Sequence, residues 1–409
     1  MYRPSANNNP LSDRVQVRYD VSMSYDFLIL GGSGMQGKIT ARDLLENGHR
    51  IFLADLFDDG AKKVQARFPE VQFEFIDLRS LPATIALIKK VGAPVVINCA
   101  ESEVDLNVYK ACLEAGKHVI DLGSGIPMTK KQIAMGPYFK NAGLTAITGC
   151  GSTPGINNIA LHYAHGLLDR LENIEAGFVW DSNIKEFVVP FSIMSIIYEF
   201  TEPAPIIEDG KWLRKIPLET IEEREFREIG KQKIFLVRHP ETYTFFLFNQ
   251  NDRIKNVHYY AGFPDHSFNK IVEFIKTGQA DDEKTIMVNG KEMTALEQLS
   301  LSLRNLPFPP GYTEKENLWV KVVGTKEGEP HEEKEILMET IVPTLPGWED
   351  AGCNIDTGMP ASIIAQMILD GRISHRGSFP PGPVVPTEDF FKELRKRQMV
   401  VYCNGQVIN

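Results

Sequence analysis

The chain has 409 residues, 43% of them apolar and 24% charged, with a formal net charge of −10. Such a composition supports sizeable cores and two or three domains of about 150 residues each. The acidic balance argues against nucleic acid and anionic lipid as partners, because no basic patch is left for phosphate.

Residues 1–22 lack the apolar core of a signal peptide and read as a mobile leader, with Met23 as an alternative start. Phe27-Leu28-Ile29-Leu30 then has the unbroken apolar character of a buried parallel strand. Gly32, Gly34 and Gly37 follow at once in G-x-G-x-x-G spacing, and residues 38–47 carry the pattern of an amphipathic helix that stops at Gly48. A strand, a glycine turn and a helix in that order form the phosphate-binding opening of a dinucleotide fold. Gly32 is expected to allow the turn, Gly34 to let a pyrophosphate approach, and Gly37 to let helix pack on strand. Ser33, Met35 and Gln36 complete the loop, and the helix N-terminus offers N–H donors to the anion.

The next strand, residues 50–54, ends at Asp55, which stands 23 residues after Gly32. An acidic residue there hydrogen-bonds the adenosine ribose and repels a 2′-phosphate. Residues 56–59 contain no Arg to offset it, so NAD is expected over NADP. A strand over 71–76 ends at Asp77-Leu78, an expected rim for the adenine. After a helix over 81–91, the strand 94–99 brings Asn98, Cys99 and Ala100 to the nicotinamide, because ligands gather at the carboxyl ends of parallel strands. A helix over 106–115, a strand over 118–121 ending at Asp121 on the cofactor side, a helix over 130–141 and a strand over 144–148 continue the alternation. Residues 23–170 therefore read as a doubly wound, Rossmann-type parallel sheet. Residues 149–158 (GCGSTPGINN) form a second glycine-rich junction, leading into a helix over 156–168. It is placed for Thr153 and Asn157 to meet a substrate.

From 171 to 350 the pattern becomes that of an antiparallel α+β domain. Strands are expected over 174–179, 233–237, 242–248 and 256–260, with a helix over 191–200. A short strand over 286–288 with a turn at Asn289-Gly290 precedes a helix over 293–303. Strands over 318–324 and 335–343 flank a charged segment, 326–334. Residues 351–409 supply a helix over 361–369, a loop over 377–386 with four prolines, a capped helix from Thr387, and an edge strand over 399–402.

Several of these segments resemble the saccharopine dehydrogenase-like oxidoreductases, most closely the lysine 6-dehydrogenase and saccharopine reductase branch. The resemblance rests on the glycine loop, Val95-Val96-Ile97-Asn98, Ala111–Gly116, Asp121-Leu122, Thr153–Asn158 and Asp356–Ala365, and it spans roughly residues 24 to 400. It implies a Rossmann domain interrupted by an α+β substrate and dimerisation domain, a C-terminal helix returning to the first domain, and a homodimer. It also implies oxidation or formation of a C–N bond at an amino acid through an imine. Two positions depart from the family pattern. Arg238-His239-Pro240-Glu241 replaces an Arg-Tyr-Pro-Gly type of stretch, and Asp356 replaces a threonine.

Such chemistry needs a base to take a proton from the amine and cationic donors to hold an α-carboxylate. His239 is the candidate base, Arg238 the clamp and Glu241 the partner of the amine, with Asp181 as a second base. Cys99, Cys112, Cys150, Cys353 and Cys403 show no C-x-x-C spacing, which speaks against disulfides or zinc and for a reducing cytoplasm. His162 and His165 have no third ligand in view, so no metal is expected. No apolar run reaches the roughly 18 residues of a membrane span. The reading is an NAD-dependent amino acid dehydrogenase of the lysine 6-dehydrogenase or saccharopine dehydrogenase type. A carboxynorspermidine- or homospermidine-type polyamine synthase and a non-catalytic NAD-binding sensor are the alternatives.

Overall fold

The computed structural model describes residues 24–409 apart from 190, 191, 251, 253, 289, 304, 305, 307 and 327–332. The leader, Phe191, Asn289 and most of the charged segment 326–334 lie outside the described residues.

Seven strands form one sheet in which every pair is parallel. Its centre is Phe27–Leu30, flanked on one side by Ile51–Asp55 and Gln72–Phe75, and on the other by Val95–Asn98, His118–Asp121 and Thr145–Ile147. This is the doubly wound order, with the crossover point at the first strand. Leu30 lies opposite both Ala54 and Asn98, and Asn98 opposite Asp121, so the carboxyl ends of these strands align along one edge. Phe27, Leu28, Ile29 and Leu30 are fully buried because helices cover both faces, which is why this strand is apolar without alternation.

The seventh strand is Gly377–Phe379, paired with Thr145–Ile147. It lies in the stretch expected to be a loop. The intervening chain builds eight of the ten strands of a second sheet, so the α+β unit interrupts the first sheet in sequence. That second sheet is mixed rather than antiparallel. Its long central strand, Arg170–Ser182, pairs parallel with Asn256–Gly262 and antiparallel with Glu314–Thr325. Glu314–Thr325 makes a hairpin with Lys334–Pro343, to which Val400–Cys403 adds as a further strand.

Residues 242–248, expected to be a strand, belong to the helix Glu241–Phe248. Pro240 at its N-cap and Glu241 in its first turn start a helix that the aromatic residues after them disguise. The helix expected from 361 begins six residues earlier and runs Ile355–Leu369, with Pro360 inside it. It lies against the glycine-loop helix Met35–Glu46 so closely that a Cβ at Gly358 would come within 2.5 Å of Ile39, and the Thr40 hydroxyl donates to the Gly358 carbonyl at 3.0 Å. Among the described residues no helix is long and apolar enough to cross a membrane.

Candidate active site

The glycine loop has the shape the nucleotide requires, with one change of role. The left-handed residue is Gly31, at φ 73°, rather than Gly32. A Cβ at Gly32 would meet the Leu53 side chain at 2.9 Å, and one at Gly37 would meet the Gly31 carbonyl oxygen at 2.2 Å. Gly34 and Met35 are exposed at the loop tip, and no protein atom comes closer to a Cβ at Gly34 than the Gly31 oxygen at 3.3 Å. The amides of Met35, Gln36 and Gly37 have no acceptor among the described residues. An open loop tip with unpaired helix N–H groups is a cradle for a pyrophosphate. The residues present therefore fit a dinucleotide.

Asp55 sits under this loop, where its carboxylate accepts from the Ser33 amide at 2.9 Å and from the Phe57 amide at 3.3 Å. Cys99 and Ala100 lie at the carboxyl edge beside Gly31. Burial pushes the Cys99 thiol up to about 12, which leaves it no nucleophile at neutral pH. Three further residues take structural parts. Asn98 is 1% exposed and donates to Asp105 at 2.8 Å. Asp121, also 1% exposed, accepts from Tyr109, Gln132, Thr148 and the amides of Gly123 and Gly149, so its carboxylate is spent on fastening the strand-end loops. Leu78 points into the core, while Asp77 is half-buried and bound by Arg79, which draws its carboxyl down to about 2.

A cavity of about 350 Å³ opens between the two sheets. Gln36, Ser152, Thr153 and Thr357 line its nucleotide side; Phe178, Trp180, Glu199 and His239 line the other. The His239 ring stacks on Tyr259 with centroids 4.4 Å apart, and its Nδ1 is hydrogen-bonded to the buried Glu241 carboxylate. With Nδ1–H donating to that carboxylate, Nε2 is left as an acceptor for the cavity. The Tyr259 hydroxyl accepts from Asn157 Nδ2 at 3.0 Å, and burial together with the nearby Glu241 holds its pKa well above the usual phenol value. Asn157 is thus the support of Tyr259, 1% exposed and away from the cavity wall, whereas Thr153 lines it.

Arg238 and Asp181 do not join this cluster. Arg238 pairs with Glu202 and is absent from the cavity wall. Asp181 follows Trp180 on the same strand, so it points to the opposite face. There it binds Lys185 Nζ at 2.6 Å, in a separate groove with Lys231 and Lys233.

Four carboxyl groups that sequence reasoning did not assign to the site line the cavity: Glu199, Glu314, Glu316 and Asp356. Among the described residues no Lys or Arg lines it. Glu314 and Glu316 alternate on Glu314–Thr325, and Glu316 lies opposite Trp180. Burial pushes the Glu199 carboxyl up to about 8 and that of Asp356 to about 7. Glu316 is raised well above the carboxylate range by burial and by Asp356 beside it. The signal for Glu314 and Glu316 was their period-2 spacing just upstream of the expected strand 318–324. Among the described residues, no group of three or more His, Cys, Asp or Glu side chains is disposed to hold a metal ion.

A Rossmann sheet with an interrupting α+β unit, and a cavity between them walled by a histidine that is hydrogen-bonded to a buried glutamate, are the architecture of a nucleotide-dependent oxidoreductase. Comparison with known proteins agrees. Residues 27–147 match the saccharopine dehydrogenase NADP binding domain, and residues 151–400 match the saccharopine dehydrogenase C-terminal domain. The chain belongs to the saccharopine dehydrogenase family. It is 24% identical over 372 residues to the carboxyaminopropylagmatine dehydrogenase of Synechocystis sp., covering 86% of this chain and 91% of that protein. It is 26% identical over 348 residues to the carboxynorspermidine synthase of Vibrio cholerae, covering 78% of each. Its fold matches that of apo saccharopine dehydrogenase (L-Glu forming) from Saccharomyces cerevisiae with a TM-score of 0.72 at 13% identity, over 93% of this chain and all of that one.

Proposed function

We propose that this protein is a dehydrogenase that makes or cleaves a C–N bond between an amino acid carbon and a polyamine-type amine, with His239 as the proton-transfer group. The observation that carries the reading is the His239 ring at the cavity wall, fixed by Glu241 and Tyr259 and free at Nε2. A bound nicotinamide supplies the two-electron chemistry. Met35, Gln36 and Gly37 offer amides to the pyrophosphate, and His239 takes the proton from the ammonium so that the amine lone pair is available for C–N double bonding. Glu241 holds the ring and stabilises its protonated form.

Lysine or saccharopine oxidation is the second reading. Both readings bring one α-carboxylate, but a di- or polyamine adds a second cationic group, which the carboxyl groups of the cavity wall suit. That balance, together with the names of the relatives, favours the polyamine-type amine. The deciding measurement follows NAD(P)H oxidation at 340 nm with short diamines and agmatine, each paired with amino acid semialdehydes, beside the reverse reaction with lysine and saccharopine. Turnover with the amine–semialdehyde pairs and none with lysine or saccharopine is expected. Tight nucleotide binding without any turnover would leave a sensor.

For the cofactor we infer NAD, because Asp55 ends the second strand where the ribose hydroxyls arrive. Asp55→Ala is expected to weaken NADH by about tenfold to 100-fold, the worth of hydrogen bonds to a charged group. Titration of NADH fluorescence checks this, and an unchanged affinity would move the ribose away from Asp55.

A further inference from the structure

We infer that Glu316 and Asp356 form a proton-sharing carboxyl pair that exchanges its proton for a second cationic group on the amine substrate. The inference rests on the amine reading above and deepens it. Asp356 is 3% exposed, lines the cavity, and its Oδ2 has no N–H or O–H donor among the described residues. Its Oδ1 accepts from the Thr357 hydroxyl at 3.1 Å. The Glu316 carboxyl lies against the Asp356 carboxyl, so the contact is favourable only while one of the two carries a proton. Pro360, inside the same helix, has no amide to give the Asp356 carbonyl four residues back, which leaves another acceptor at this point.

The surroundings strengthen the demand for a cation. Glu314 lies on the same strand as Glu316, with its carboxylate taken by the Tyr312 hydroxyl at 2.7 Å and the Cys353 amide at 2.6 Å. Glu199 faces the cavity from the helix Ile193–Thr201, and its Oε2 is also unpartnered. The Cys353 thiol is held neutral by burial and these carboxylates. Among the described residues, the other titratable side chain on the wall is His239, and Arg238, off the wall, acts on Glu199 by its charge. A neutral or singly protonated amine at His239 therefore leaves the Glu316–Asp356 end of the cavity short of hydrogen-bond donors. An ammonium or guanidinium there would donate to both carboxylates and release the shared proton to solvent. No bond other than O–H is broken and nothing is oxidised.

Calorimetric titration of the full-length protein with 1,4-diaminobutane, and separately with 1-aminobutane, tests this at pH 7 in phosphate and in Tris. The two buffers differ in ionisation enthalpy and so report the protons released. The diamine is expected to release about one more proton per site than the monoamine and to bind about tenfold tighter or better. Glu316→Gln and Asp356→Asn should each remove the extra proton and most of the preference. Proton release by the diamine without turnover on any amine would uphold the pair and defeat the enzyme reading. Turnover that is indifferent to the second cation, with equal proton counts for the two probes, would overturn the pair alone. Should either variant fail to fold, judged by its circular dichroism, the wild-type proton count decides by itself.

Discussion

His239→Asn is expected to lower kcat by about 10²–10⁴-fold, the range for removing a general acid–base group. Asparagine is the informative replacement because its amide reaches the position of Nδ1. The hydrogen bond to Glu241 can then persist while the Nε2 acceptor on the cavity side is lost. The stack on Tyr259 is lost with the ring, so a thermal melt of the variant reads that contact apart from the rate. Nucleotide affinity should stay at the wild-type value, because the glycine loop is built from other residues. Glu241→Gln is expected to cost less: it leaves Nε2 in the cavity and loses only the carboxylate that fixes the tautomer. The check is a pair of measurements, single-turnover rate and NADH affinity, on both variants. A His239→Asn enzyme that turns over at the wild-type rate would show that the proton passes elsewhere, with the carboxyl groups of Glu199 and Glu316 next in line.

The nucleotide half was legible because its signals are local. Four apolar residues before a glycine loop, and an acid at the end of the next strand, occur within about 30 residues and each has one physical meaning. Even there the left-handed turn fell on Gly31, since G-x-G-x-x-G spacing does not say which glycine bends. The three-residue strand Gly377–Phe379 was hidden in a proline-rich stretch, and it becomes a strand only by lying beside Thr145–Ile147. The helix Glu241–Phe248 was misread because Thr, Tyr and Phe favour strands locally, whereas Pro240 and packing against the sheet decide the outcome. The proposed acid–base residue stands beside its hydrogen-bond partner in sequence, His239 two residues before Glu241, and so was open to a local reading. The carboxyl pair was not, because Glu316 and Asp356 come from different elements and meet only in the folded chain. Placing the start of that strand at 318 rather than 314 removed Glu314 and Glu316 from view. Asp356 stood out only as a departure from the family pattern, and in the folded chain it lines the cavity.

Asp43→Ala is expected to destabilise the protein by about 3–5 kcal/mol, the usual cost of stranding one partner of a buried ion pair. Asp43 is 4% exposed on the glycine-loop helix and accepts from Arg397 Nε at 2.8 Å, from Arg397 Nη2 at 2.7 Å and from the Ser362 hydroxyl at 2.5 Å. One carboxylate thus ties the first helix of the nucleotide domain to the returning helix Ile355–Leu369 and to the end of the last helix. Without it the Arg397 guanidinium, 8% exposed, would keep Glu393 alone as an ionic partner among the described residues. The loss should fall on the joint between the chain's beginning and its end rather than on the second sheet. Guanidinium unfolding followed by tryptophan fluorescence and by far-ultraviolet dichroism reads the effect. The double variant Asp43→Ala, Arg397→Met supplies the control, because it removes the stranded charge as well as the pair. It should recover a substantial part of the loss, with the two single effects failing to add. If the double variant is as unstable as the sum of the singles, the cost lies in packing around the two helices and not in the buried charge.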